Sequence, residues 1–159
     1  DIRKRFSMET ERYAIYGHSA GAQFVHRFLF YIPGARVSRA VVANAGWYLM
    51  PDFGIDYPYG LRGSGVSRDH VVRVMAMPLT VLLGESDTDT ADSGLRRAPE
   101  AMRQGEHRFA RGQAWFAASR AWSEREGVAF GWRLETVPGV GHSNTLMAPP
   151  AARILLKKP

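Results

Sequence analysis

Apolar positions change period several times along this chain, and the changes mark out alternating strands and helices. Tyr13-Ala14-Ile15-Tyr16, a short run of aromatic and β-branched residues, predicts a strand over 12–16. Directly behind it Phe24, Val25, Phe28, Leu29 and Ile32 recur at helical spacing until Pro33-Gly34 stops them. Ala40-Val41-Val42-Ala43 predicts a second strand over 39–43, and Leu79 to Leu83 a third, continuously apolar as in a strand buried on both faces. Trp132 to Val137 alternates like a fourth strand. Between the last two, Trp115, Ala118 and Trp122 share one face of an amphipathic helix over 107–126 that Gly127 closes. Shorter helical patterns occupy 68–77 and the start of the chain, 1–6. A final helix over 145–156 is expected to break at Pro149-Pro150. Residues 51–65, rich in glycine and aromatic side chains, form an irregular excursion placed to cover a cleft. Strands that alternate with helices in this way define an α/β fold, with a mostly parallel sheet flanked by helices.

Open α/β sheets gather ligands at the carboxyl ends of their strands, so the residues that follow each strand carry the functional information. After the first strand stands Gly17-His18-Ser19-Ala20-Gly21, a strand, turn and helix junction that lifts Ser19 out of the sheet. Gly17 and Gly21 are the expected source of room for such a sharp turn. A serine hydroxyl is a poor nucleophile at neutral pH, and a histidine must take its proton while an acid holds that histidine in the right tautomer. The third strand runs into Gly84-Glu85-Ser86-Asp87, which makes Asp87 the candidate acid, with Glu85, Asp89 and Asp92 as competitors in the same polar loop. The fourth runs into Pro138-Gly139-Val140-Gly141-His142 and makes His142 the candidate base. His26, on the helix after the serine, His70, in a charged stretch, and His107, near a helix start, read as structural. Trp47 and Tyr48 follow the second strand and are candidates to line a pocket, with plain packing as the alternative.

The chain order Ser19, Asp87, His142 and the stretches Gly-His-Ser-Ala-Gly at 17–21, Leu-Leu-Gly-Glu-Ser-Asp at 82–87 and Val-Pro-Gly-Val-Gly-His at 137–142 resemble the α/β-hydrolase superfamily. Within it they look like bacterial esterases and depolymerase-like serine hydrolases. The resemblance implies cleavage of a small or polymeric carboxylic ester through an acyl-Ser19 intermediate, with His142 as base, Asp87 as its orienting acid and no cofactor. It places the backbone N–H of Ala20 at the oxyanion, while His18 beside the serine joins Trp47 and Tyr48 as candidates to line the substrate site. It covers the carboxyl-terminal half of that fold. Residues 1–159 are therefore expected to be one domain and the carboxyl-terminal portion of a longer chain, lacking the amino-terminal strands and the loop that supplies a second oxyanion donor. The strand carrying Ser19 should then show an unpaired edge. An inert hydrolase-like module is the alternative.

Composition sets outer bounds. With 159 residues, 45% of them hydrophobic, the chain is long enough for one domain with a real core. Its net charge of +6 comes from arginine in short, scattered clusters (Arg3-Lys4-Arg5, Arg96-Arg97, Lys157-Lys158) without the aromatic interleaving of a nucleic-acid surface, so no nucleic-acid partner is expected. The absence of cysteine excludes thiolate zinc sites and disulfides, and no His-Glu-x-x-His spacing points to a metal. No apolar run approaches the roughly 18 residues of a membrane span. The first residue is Asp1, so an export signal would not be visible and the localisation is not readable from the sequence.

Overall fold

A computed structural model describes residues 2–7 and 11–157. Strands β1 (Tyr13–His18), β2 (Val37–Ala43), β3 (Leu79–Gly84) and β4 (Trp132–Val137) form one parallel sheet in the order β1-β2-β3-β4. Helices α1 (Ile2–Arg5), α2 (Ala20–Tyr31), α3 (Arg68–Ala76), α4 (Pro99–Met102), α5 (Arg108–Glu126) and α6 (Asn144–Leu156) complete the fold. Each predicted strand is present, displaced by at most two residues at either end. The helix tail expected at 1–6 is α1, with Asp1 outside the described residues; Lys158 also lies outside them. Among the described residues β1 and β4 are the sheet's two edges, and β1, which leads into Ser19, pairs on one side only.

The parallel pairing follows from burial. Every residue of β3 is buried, and Val41, Val42 and Ala43 of β2 are fully so, because helices cover both faces of these central strands. Side chains alternate between the faces. Ala40, Val42, Leu79, Val81 and Leu83 join the large core with Val25 and Leu29 of α2, Val71 and Met75 of α3, and Trp115 and Trp122 of α5. Val41, Ala43 and Leu82 pack with Met147 and Ala151 of α6 on the other side. Trp115 and Trp132 also satisfy their indole N–H groups, donating to Leu49 O at 2.9 Å and Val74 O at 2.8 Å, so their large apolar area is buried without an orphaned donor.

α6 departs from the expected break, since it runs without interruption through Pro149 and Pro150. The prolines remove the N–H groups that would bond the carbonyls of Thr145 and Leu146, but both of those residues are exposed and can be hydrated there. Meanwhile Met147 and Ala151 bury one face of the helix against the sheet and hold it together. The short α4 has no counterpart in the sequence reading, being too brief to show a period. The excursion over 51–65 is irregular as expected. Within it Tyr57 meets Tyr31 edge-on, at the end of α2 opposite to Ser19.

Candidate active site

Ser19 sits between the end of β1 and the start of α2 with φ 54° and ψ −118°, a backbone region that non-glycine residues avoid at a cost of about 1–3 kcal/mol. Two backbone hydrogen bonds hold it there, from its own N–H to Ala43 O at 3.0 Å and from Gln23 N–H to its carbonyl at 3.1 Å. The turn brings the backbone of Gly21 back over Gly17, where a Cβ would lie 2.2 Å from Gly21 O. Gly17 is thus required by contact. Gly21 is not, because a Cβ there meets nothing within 4 Å, and this corrects the expectation that both glycines relieve crowding.

A Pro138-Gly139 turn, with Gly139 at φ 70°, ends β4 and sends the chain across the end of β3. Glu85 N–H donates to Val137 O at 3.1 Å and Ser86 N–H to Val140 O at 2.9 Å, pinning the two exit loops together. Gly84 permits this approach, since a Cβ would stand 2.4 Å from Val140 O. Asn44, fully buried at the end of β2 with φ 50°, braces the same junction: its Oδ1 accepts from Gly84 N–H at 2.9 Å and its Nδ2 donates to Gly141 O at 3.4 Å.

These loops bring three side chains from three strand ends into one line. His142 Nε2 lies 2.9 Å from Ser19 Oγ, and His142 Nδ1 lies 2.8 Å from Asp87 Oδ2. A carboxylate only accepts, which assigns the proton to Nδ1 and leaves Nε2 to accept the serine O–H. The Asp87 side chain is 1% exposed and that of His142 26%, so the acid is sealed from water while the imidazole reaches the surface. The competing acids are occupied elsewhere. Glu85 accepts from Thr136 Oγ1 at 2.6 Å, Asp89 from Ala91 N–H at 2.7 Å, and Asp92 from Gly94 N–H at 2.6 Å.

Two groups border this line. Arg108, the first residue of α5 and only 3% exposed in its side chain, holds Nη1 2.7 Å from Asp92 Oδ2 and 3.6 Å from Asp87 Oδ1. Its hydrogen bond holds the Asp92 carboxyl below the usual range. The next residue, Phe109, donates its N–H to Asp87 O at 3.1 Å. On the other side the His18 ring lies 4.7 Å from that of His142. Burial lowers His18 to about 4, with the charges of His142 and Arg108 adding to the effect and Asp87 opposing it. His18 is therefore neutral at pH 7, and its buried Nε2 has no hydrogen-bond partner among the described residues.

Ala20 opens α2, whose N-terminus carries no side-chain cap, so its N–H stands among the unpaired donors at the positive end of the helix. Trp47 is partly buried, with the Arg27 guanidinium 4.6 Å above its ring and Tyr59 at 4.8 Å. Tyr48 is fully buried and stacked on Trp115, and its hydroxyl accepts from Ala45 N–H at 3.2 Å. Burial pushes its phenol well above the ordinary range. Tyr48 thus packs in the core, closed off from solvent, while Trp47 reaches the surface. His26, lowered to about 3 by full burial, bridges Ala22 O and Leu49 N–H, and His107 accepts Ala110 N–H as the cap of α5. Among the described residues no cluster of three or more His, Cys, Asp or Glu side chains is placed to hold a metal. A cavity of about 420 Å³, lined by Arg39, Pro78, Thr80, Arg133 and Ile154, lies at the opposite end of the sheet where the strands begin.

A parallel sheet covered on both faces, with a serine on a strained strand-to-helix turn and an acid and a histidine at later strand ends, is the α/β-hydrolase arrangement, and the chain belongs to that superfamily. The structure of poly(aspartic acid) hydrolase-1 from Sphingomonas sp. KT-1 matches it with a TM-score of 0.95 and 47% identity, covering 98% of this chain and 59% of that one. LpqC, a poly(3-hydroxybutyrate) depolymerase from Bordetella parapertussis, matches with a TM-score of 0.90 and 38% identity, covering 99% of this chain and 54% of that one. The chain thus spans between 54% and 59% of the length of these two proteins. No protein-family model matches it, and no curated protein does.

Proposed function

We propose that the protein is a serine hydrolase that cleaves a carboxylic ester through an acyl-enzyme intermediate, with Ser19, His142 and Asp87 as its catalytic triad. The observation that carries this reading is the unbroken hydrogen-bonded line from Ser19 Oγ through the His142 ring to the sealed Asp87 carboxylate. In the first half-reaction Ser19 Oγ bonds to the substrate carbonyl carbon and its proton passes to His142 Nε2. Asp87 holds the resulting imidazolium through Nδ1–H. The carbonyl oxygen becomes an oxyanion and takes the Ala20 N–H at the head of α2, a donor worth about 3–4 kcal/mol where such groups have been removed. The Nε2 proton then goes to the leaving alkoxide as the C–O bond breaks. Water repeats the sequence on the acyl-Ser19 ester, releasing the carboxylic acid and restoring the serine. A neutral His18 suits this cycle, because it places no second positive charge against the transient imidazolium.

The open edge of β1 and the greater length of both structural neighbours support reading residues 1–159 as the carboxyl-terminal portion of a longer hydrolase, whose preceding segment supplies the second oxyanion donor. Both neighbours are named for polymers, and we assign a polymeric ester as the substrate class. Turnover of p-nitrophenyl butyrate tests the reading. Ser19→Ala and His142→Ala are expected to lower kcat by at least about 10³-fold, since members of a triad act as a unit. Equal rates for the wild type and both variants, at the level of buffer, identify an inert hydrolase-like module instead.

A further inference from the structure

The least economical feature of the site is Arg108. A guanidinium with 3% exposure is expensive to desolvate unless its donors are met, yet its buried Nε has no partner among the described residues. Its Nη1 lies between two carboxylates but is shared unequally, at hydrogen-bond distance from Asp92 and only at ion-pair distance from Asp87. Asp92 itself is fixed, its other oxygen taking Gly94 N–H and its carbonyl taking Leu95 N–H at 3.1 Å. The arrangement therefore keeps a full positive charge beside Asp87 while restraining it from a direct hydrogen bond that would compete with His142 for the same carboxylate.

Charge counting gives this a purpose. With His142 neutral, Asp87, Arg108 and Asp92 sum to one negative charge. When His142 takes the serine proton the four groups sum to zero. Without Arg108 the imidazolium would face two uncompensated carboxylates and hold its proton too tightly to return it. Without Asp92, Arg108 is free to close on Asp87 and loosen its hold on the imidazole.

We propose that Arg108 is a positioning residue that sets the proton affinity of His142 through Asp87, and that Asp92 is the tether that fixes the strength of that effect. The proposal rests on the hydrolase reading only for its catalytic consequence; the electrostatic relation stands on geometry. Among the described residues the charged and titratable groups tied to the His142 ring are Asp87 from the end of β3, His18 from β1 and Asp92, whose carboxyl feels the His142 charge directly, while Arg108 from α5 stands against both carboxylates.

The test is the pH midpoint of the His142 ring titration, followed by NMR in the wild type, Arg108→Gln, Arg108→Lys and Asp92→Asn, so that no turnover is needed. Removing a positive charge at this range is expected to raise the midpoint by about half a pH unit or more in Arg108→Gln. Removing a negative one is expected to lower it in Asp92→Asn, while Arg108→Lys stays near the wild type. Should Arg108→Gln fail to fold, the other two variants still decide the matter, since the midpoint must fall in Asp92→Asn and stay in place in Arg108→Lys. Midpoints that do not move, or that move the same way in the charge-removing variants, assign Arg108 a packing role and overturn the proposal. If the wild type turns over no ester while the midpoints diverge as described, the hydrolase reading falls and the electrostatic relation survives.

Discussion

Asn44 Oδ1 accepts the backbone N–H of Gly84 at 2.9 Å, joining the ends of the two central strands. Through Nδ2 the same side chain reaches Gly141, the residue before His142, so one amide sets the relative height of the acid loop and the histidine loop. Its φ of 50° is one that asparagine tolerates better than most residues.

Removing this brace should cost both stability and catalysis. Asn44→Gly keeps the backbone free to adopt its conformation but leaves the buried Gly84 N–H without a partner, an expected loss of about 1–3 kcal/mol. Asn44→Ala adds backbone strain of about 1 kcal/mol or more. In both, kcat is expected to fall at least about 10-fold with little change in KM, since the His142 ring loses its register with Ser19. Urea unfolding alongside ester kinetics checks both parts.

The two glycines around Ser19 should respond in opposite ways. Gly17→Ala forces a Cβ into the backbone of the following helix and is expected to destabilise by several kcal/mol, in the range of severe overpacking, and to abolish activity. Gly21→Ala meets nothing and lies within the first turn of α2, so it should leave activity intact and stabilise by up to about 1 kcal/mol. Melting temperatures of the two variants settle this directly.

Two histidines make stability depend on pH in a specific window. His26 and His18 are lowered in the folded protein to about 3 and about 4, so between these values and the unfolded value near 6.5 the unfolded chain binds protons that the folded one refuses. Stability is then full above about pH 6.5 and is lost as the pH falls toward 4, at up to about 1.4 kcal/mol per pH unit for a fully buried imidazole such as His26. His18, being partly exposed, contributes less. Denaturant unfolding from pH 7.5 to 4.5 should show this slope, and His26→Gln should flatten it.

Much of this was legible along the chain, and the failures share a cause. Ser19, Asp87 and His142 each follow a strand that its apolar pattern announces, so parallel pairing alone brings them to one rim. Tyr48 follows a strand as well, yet the chain turns it inward onto Trp115, and nothing local to the sequence distinguishes it from the partly exposed Trp47. Arg108 reads as an ordinary solvated residue at a helix start. Only the contact of α5 with the Asp87 loop buries it. Asn44 leaves a faint signal, an asparagine directly after an apolar strand, which fits a left-handed turn but does not reveal its two partners. At Pro149-Pro150 the local rule was overridden by burial of Met147 and Ala151 on one face of the helix. Strand ends can be read locally, whereas side chains that brace one loop against another belong to the tertiary fold.

Ser19 as the nucleophile is the claim on which the functional reading turns, and a fluorophosphonate probe tests it most directly. Incubation followed by peptide mapping is expected to place a single covalent adduct on Ser19, with labelling lost in Ser19→Ala and strongly slowed in His142→Ala. An intact, folded protein that takes up no probe, or that carries the adduct on another residue, contradicts it.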